Sequence, residues 1–97
     1  MKDMLKNFTI LYVEDEEQIR KSAVEFLRRV AKEVLEAKDG KEAIGMWKEH
    51  KPDIIITDIS MPKLNGLDMA SYIRAHDQNV QIIVATAHSD TEYLLKA

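Results

Sequence analysis

The segment Asp53–Pro62, with the sequence DIIITDISMP, decides the fold of this 97-residue chain. Its three consecutive isoleucines are β-branched and stand between Pro52 and a turn rich in Pro, Asn and Gly. This pattern predicts a short strand buried on both faces. Asp58 lies where the strand ends. Because ligands bind outside the carboxyl ends of strands in open parallel sheets, the position of Asp58 indicates a functional site.

Runs of β-forming residues on either side of this segment predict three more strands. The first is Phe8–Val13, which is followed directly by the acidic residues Glu14–Glu17. A weaker apolar stretch, Val34–Ala37, fits an edge strand, and Val80–Ala87 is again β-branched and apolar. The sheet is therefore expected to have four strands.

Helical spacing of apolar residues separates these strands. A first helix is expected from Ile19, with Arg20 on its polar face and an apolar stripe formed by Ile19, Ala23, Phe26, Leu27 and Val30. Further helices are expected from the N-cap pattern Asp39 to Glu42 up to about Lys51, from Gly66 to about His76, and after the capping-box pattern Ser89–Glu92. Four repeats of strand and helix predict one α/β domain over residues 1–97, with a parallel sheet, right-handed crossovers and helices on both faces.

Composition excludes several classes of function. The net charge of −3 and the dispersed basic residues provide no stripe for nucleic acid, so we expect no direct nucleic-acid binding. Cysteine is absent and the three histidines are scattered, which argues against disulfides and zinc sites. The N-terminal pattern fits neither a signal peptide nor a membrane span, so a cytoplasmic protein without membrane contact is expected.

Carboxylates at two strand ends suggest a metal site. If the first and third strands are neighbours, Glu14, Asp15 and Asp58 converge and repel one another unless a cation bridges them. A set of oxygen ligands without His or Cys favours Mg²⁺, and Asp58 beside the metal could act as a phosphoryl nucleophile. Thr86, at the end of the fourth strand, could donate its hydroxyl to a phosphoryl oxygen.

Simpler interpretations exist for each of these residues. The acidic run Glu14–Glu17 could favour the N-terminus of the first helix, by about 0.3–1 kcal/mol per charge. Asp58 alone could form a turn, and Thr86 alone could serve as a β-former. The combination of these residues is what favours a phosphoryl site.

Several motifs together resemble the receiver domain of two-component response regulators. They are Leu11–Glu16, Asp39-Gly40 with Ala43, Asp53–Pro62, Leu64–Gly66 and Val84–Ala87. The resemblance implies a flavodoxin-like doubly wound sheet in which a histidine kinase phosphorylates Asp58 and Thr86 contacts the phosphoryl group. It also implies Mg²⁺ held by Glu14, Asp15, Asp58 and the backbone carbonyl of Ser60. Such a module is a phosphoacceptor rather than an ordinary enzyme.

The resemblance also implies a fifth strand with a lysine and a last helix, which these 97 residues do not include. We therefore expect a truncated receiver domain with the strand order 2-1-3-4. An alternative function is a phosphorylation-incompetent module for dimerisation or partner binding. The fourth strand would be an unprotected sheet edge, so a homodimer is expected, either through paired Val80–Ala87 edges or through a swapped C-terminal segment.

Overall fold

A computed structural model of the chain describes residues 5–59 and 65–85. Four strands alternate with three helices: β1 Thr9–Val13, α1 Glu17–Leu27, β2 Glu33–Ala37, α2 Gly40–His50, β3 Ile54–Asp58, α3 Gly66–His76 and β4 Gln81–Ala85. The end of the predicted fourth strand and the helix predicted after Ser89–Glu92 lie outside the described residues. Within these two ranges no helix has the length and apolar character needed to cross a membrane.

All strand pairs are parallel, and the sheet order is β2-β1-β3-β4. This confirms the predicted doubly wound, flavodoxin-like topology for the four strands. Val13 pairs with Thr57, so the residues that follow β1 lie level with the last residue of β3. Asp58 in turn pairs with Ala85 of β4. The register therefore brings the acidic ends of β1 and β3 to the same edge of the sheet.

One face of the sheet carries the main core. Leu11, Val13 and Ile55 from the sheet pack there with Met69 and Ile73 of α3, and all five side chains are buried. On the other face α1 contacts β1 and β2. Over β3 and β4 that face is more open, because Ile54 and Ile56 are half-buried and Ile83 is 50% exposed. The expectation that β3 is buried on both faces is thus correct for only one of them.

The helix caps follow the predicted chemistry with one change. The Asp39 carboxylate accepts a hydrogen bond from the backbone N–H of Glu42 at 2.7 Å, which confirms the N-cap of α2. The Glu42 carboxylate accepts from the N–H of Lys38 at 2.7 Å rather than from Asp39 itself. Helix α2 ends at His50, and the residue that caps it, Lys51, has a left-handed φ of 50°.

The predicted inward face of α1 is correct only in part, since Ile19, Ala23 and Leu27 are half-buried as expected. Val24, which was not on the predicted stripe, is the buried residue of α1, whereas Phe26 is 61% exposed. Val30 lies beyond the helix. The inward line instead includes Arg20, whose side chain is only 13% exposed. The sequence pattern placed Arg20 on the polar face because helical periodicity assigns every charged residue to the exposed side. It carries no information about a partner such as Glu36 on the sheet.

A tryptophan connects α2 to the turn before β4. The indole Nε1 of Trp47 donates to Oδ2 of Asp77 at 3.0 Å. The other oxygen of Asp77 accepts from the backbone N–H groups of Asn79 and Val80 at 3.0 and 3.2 Å. The indole hydrogen bond, followed by the one from Asn79, lowers the pKa of the Asp77 carboxyl. This network fixes the start of β4 relative to α2.

Gly66 lies against the backbone at the end of β3. Its N–H donates to the Ile59 carbonyl at 2.9 Å. A Cβ at this position would collide with the carbonyl oxygen of Asp58 and approach its carbonyl carbon to 2.9 Å. Its φ is not positive. The glycine is therefore required by the close approach of two backbones and not by a left-handed turn.

We expect Gly66→Ala to destabilise the protein by about 1–3 kcal/mol, because the obstructing atoms belong to backbone that cannot rotate away. Gly45→Ala is the matched control. Its Cβ meets nothing within 4 Å in the exposed middle of α2, so it should stabilise by roughly 0.5–1 kcal/mol through helix propensity. Urea unfolding of both variants measures the two effects. Equal effects of the same sign would contradict this assignment of Gly66.

Candidate functional site

Three carboxylates meet at the carboxyl edge of the sheet. One side-chain oxygen each from Glu14, Asp15 and Asp58 can be chosen so that all lie within 4.8 Å of one another. Glu14 is 2% exposed and Asp58 is 5% exposed, whereas Asp15 is exposed. Glu14 and Asp15 follow β1 directly, and Asp58 is the last residue of β3. The parallel register of these neighbouring strands explains why the three groups converge.

The Asp58 side chain has a defined orientation. Its Oδ1 accepts a hydrogen bond from the backbone N–H of Ile59 at 2.9 Å. Its own carbonyl accepts from the Thr57 hydroxyl at 3.0 Å, and Gly66 packs against that carbonyl. Backbone and side chain of Asp58 are therefore both held, which is the preorganisation that a nucleophile requires.

Glu14 is held at three points. Its N–H donates to the Ala37 carbonyl at 3.0 Å, extending the pairing of β1 with β2. Its carbonyl accepts from Nη1 of Arg20 at 2.9 Å. Its side-chain Oε2 accepts from the N–H of Glu16 at 3.0 Å. The carboxylate is thus directed along the start of α1 and toward the acidic cluster.

Burial and like charge shift the titration of this edge. Burial, together with the nearby Asp15 and Asp58 carboxyls, raises the pKa of Glu14, although the hydrogen bond from Glu16 opposes the shift. The pKa of Tyr12 is also raised, first by burial and then by the charges of Glu14 and Asp58. In both groups burial is the largest cause, and the neighbouring carboxylates add to it.

A small cavity adjoins the cluster. Its volume is about 180 Å³, and its walls include Tyr12, Glu14, Ile56 and Asp58. Two larger hollows, of about 400 and 680 Å³, are lined by residues that do not belong to the cluster. The chemistry of the site therefore lies at a small recess and not in a pocket for a large organic ligand.

The donor set fits a hard divalent cation. All the available ligand atoms are carboxylate oxygens, which come within 4.8 Å of one another. Mg²⁺ prefers such oxygens and keeps water in its remaining positions. Glu14, Asp15 and Asp58 would hold it. Their role as metal ligands stays a prediction, and Ser60 and Thr86, the other predicted site residues, lie outside the described part of the chain.

Two contributors to this edge were not predicted from the sequence. Tyr12 forms a wall of the cavity, and Arg20 anchors the backbone of Glu14. For Tyr12 a signal existed, since it stands two residues before Glu14 in a strand and must point to the same face. For Arg20 the helical spacing predicted the opposite, a position on the polar face of α1.

The parallel sheet flanked by helices and the three carboxylates at its edge define an α/β domain with an acidic site. A family model described as the response regulator receiver domain matches residues 10–97, so the chain belongs to that family.

Similar proteins agree with this assignment. The transcriptional regulatory protein PdtaR of Mycobacterium tuberculosis is 40% identical over 89 residues, which are 91% of this chain and 43% of PdtaR. The chain therefore spans less than half the length of that relative.

Two solved structures are also similar. The N-terminal domain of an uncharacterized protein from Wolinella succinogenes has a TM-score of 0.82 and 40% identity, covering 93% of this chain and 73% of that one. The response regulator TrrA of Thermotoga maritima, solved in complex with Mg²⁺ and BeF, has a TM-score of 0.79 and 36% identity. The match to TrrA covers 84% of this chain and 71% of the TrrA chain.

The raised pKa of Glu14 predicts a pH dependence of stability. Below its ordinary value of 4.5 the carboxyl is protonated in both the folded and the unfolded chain. As the pH rises past that value the unfolded chain releases its proton first, so the free energy of unfolding falls until the raised pKa is passed. Glu14→Gln should remove this decline, because an amide oxygen can still accept from Glu16.

Thermal unfolding without metal, from about pH 4 to about pH 7, tests this expectation. The advantage of Glu14→Gln over the wild type should grow with pH. Glu25→Gln, on the exposed surface of α1, is the control and should show no such trend. A constant difference between Glu14→Gln and the wild type across this range would contradict the prediction.

Proposed function

We propose that this chain is a phosphoacceptor module in which a sensor histidine kinase transfers a phosphoryl group to Asp58 in the presence of Mg²⁺. The observation that carries the proposal is the convergence of Glu14, Asp15 and Asp58 at one sheet edge, with Asp58 held by Ile59. Membership of the receiver family supports it. We favour this role over a phosphorylation-incompetent module, because an assembly role alone would not require two buried carboxylates and a third beside them at one sheet edge.

Asp58 supplies the nucleophile. A carboxylate oxygen attacks the phosphorus of a phosphohistidine, the new O–P bond forms as the P–N bond breaks, and the leaving imidazole nitrogen takes up a proton. The product is an acyl phosphate on Asp58. The backbone N–H of Ile59 donates to Oδ1 and so fixes the rotation of the carboxylate. The other oxygen of Asp58 is then the one that attacks the phosphorus.

Glu14 and Asp15 prepare the edge for the incoming phosphoryl group. Alone, their charges would repel a phosphoryl anion as strongly as they repel Asp58. When bound, Mg²⁺ neutralises this charge and stabilises negative oxygens of the transferring group. The buried Glu14 and the exposed Asp15 would each offer one carboxylate oxygen as a ligand. Ser60 through its backbone carbonyl and Thr86 through its hydroxyl complete the proposed site.

Phosphorylation by a phosphoramidate, which carries the same P–N bond as phosphohistidine, tests the role of Asp58. The wild type should gain an acid-labile, hydroxylamine-sensitive phosphoryl group only with Mg²⁺, and Asp58→Asn should gain none. Asp68→Asn, an exposed acid in the first turn of α3, is the control and should be labelled like the wild type. Label retained in a folded Asp58→Asn protein would assign the nucleophile to another residue.

A second copy of the chain is the proposed protein partner besides the kinase. In the described residues β4 pairs with β3 on one side only, and Ile83 is 50% exposed on this apolar strand. Such an edge invites pairing with another strand. Two β4 edges related by a two-fold axis, or a swapped C-terminal segment, would cover it. The cytoplasmic location expected from the sequence stays a prediction.

Light scattering during size exclusion at low micromolar concentration should therefore give the mass of a dimer. Ile83→Lys places a charge on the edge and should shift the mass to that of a monomer. Lys21→Glu, on the exposed surface of α1, should leave the dimer intact. A wild-type protein that elutes as a monomer and unfolds cooperatively would contradict the proposed dimer.

A further inference from the structure

Arg20 joins the acidic edge to the strand at the edge of the sheet. From the first half of α1, its Nη1 donates to the Glu14 carbonyl at 2.9 Å. Its Nε donates to Oε1 of Glu36, in β2, at 3.0 Å. The side chain of Arg20 is 13% exposed, which is unusual for an arginine on a helix of a small domain. One guanidinium thus connects three elements: the end of β1, α1 and β2.

The carbonyl that Arg20 binds belongs to the peptide between the first two acids of the cluster. Its orientation sets the direction in which both Glu14 and Asp15 leave the strand. On the strand side, the N–H of Glu14 is fixed by the Ala37 carbonyl at 3.0 Å. On the other side, the carbonyl is fixed by Arg20. Without that hydrogen bond the peptide could rotate and carry the Asp15 carboxylate away from Asp58.

Glu36 balances the charge of Arg20. Burial would raise the pKa of Glu36, but the hydrogen bond from Arg20 and the charges of Lys21 and Arg20 outweigh it, so the net shift is downward. The carboxylate therefore stays ionised beside the guanidinium. Lys21 and Arg28 also approach Glu36, at 3.6 and 3.9 Å, but both side chains are 60% exposed. Of these three cations, only Arg20 donates a described hydrogen bond to Glu14.

We propose that Arg20 is a positioning residue for the Mg²⁺ site, which it orients by holding the peptide between Glu14 and Asp15 while Glu36 anchors its guanidinium. This inference rests on the proposed function, since it assumes that these carboxylates bind the metal. Arg20 itself touches neither the metal nor the phosphoryl group. It acts through the backbone, as residues behind metal ligands commonly do.

The sign of the effect separates positioning from simple electrostatics. A cation beside a metal site repels the metal, so removing its charge should strengthen Mg²⁺ binding if charge is its only contribution. If Arg20 positions the ligands, its removal should weaken binding despite the lost repulsion. Changing a supporting residue behind a metal ligand typically lowers metal affinity by about 10–100-fold. We expect Arg20→Gln to lower the Mg²⁺ affinity by about tenfold, near the lower end of this range, because Arg20 contacts the backbone and not a ligand side chain.

The experiment titrates Mg²⁺ into the ¹⁵N-labelled chain and follows the amide signals of Glu14, Asp15 and Asp58. Lys21→Gln is the matched control, because it also removes one positive charge near Glu36 but breaks no contact with Glu14. It should bind Mg²⁺ as tightly as the wild type or slightly more tightly. Arg20→Lys keeps the charge but cannot donate in two fixed directions, so it should also weaken binding.

The metal-free spectra add a readout that does not depend on affinity. The amide signals of Glu14 and Asp15 should shift in Arg20→Gln and in Arg20→Lys but not in Lys21→Gln. Thermal unfolding identifies any variant that has lost its fold, and Glu36→Gln then tests the same arrangement by releasing Arg20 from its anchor.

The results separate a failure of the proposed metal site from a failure of the role of Arg20 alone. A wild-type chain that binds no Mg²⁺ at these residues overturns the proposed metal site, and this inference with it. A wild-type chain that binds Mg²⁺, together with folded Arg20 variants that bind equally or more tightly, overturns only the role of Arg20. Weaker binding in both Arg20 variants, with Lys21→Gln unchanged, supports it.

Discussion

The parallel register of β1 with β3 is the constraint on which the site depends. It sets Val13 of β1 beside Thr57 of β3. The residues that follow these two, Glu14 and Asp58, therefore meet as like charges at a buried edge. Burying such charges beside one another opposes folding, and burial together with the neighbouring carboxyls raises the pKa of Glu14. The fold accepts this because the core on the opposite side of the sheet stabilises the register independently.

Much of the remaining structure holds that edge in place. Helix α3 begins against the carbonyl of Asp58, which is possible only because Gly66 has no Cβ. Helix α1 contributes Arg20, which binds the carbonyl of Glu14. Both contacts are made to backbone atoms, so the carboxylates themselves are left for chemistry. In Glu14 and Asp58 the backbone carbonyls therefore make the stabilising contacts, while the side-chain carboxylates are left for function.

The sequence predicted the elements and their order well, because strand and helix patterns, caps and strand-end acids are local signals. It placed Asp39 at the N-cap of α2 and Asp58 at the end of β3, as observed. It failed where a side chain's environment depends on distant elements. Val24 lay off the predicted apolar stripe and is buried, and Arg20 was expected outside but has a side chain only 13% exposed. The partner that draws Arg20 inward, Glu36, lies on a strand whose position no local pattern reveals.

The tie between Trp47 and Asp77 has a spectroscopic consequence. Trp47 is the chain's single tryptophan, and its indole is hydrogen-bonded just before the start of β4, at the end of the sheet remote from the acidic cluster. A strand rises about 3.3 Å per residue, so the length of a strand separates this fluorophore from the carboxylates. Its emission reports how α2 and α3 pack around Tyr72 and His76. A change in that emission when Mg²⁺ is added would therefore be a measure of long-range communication through the sheet and not of metal contact.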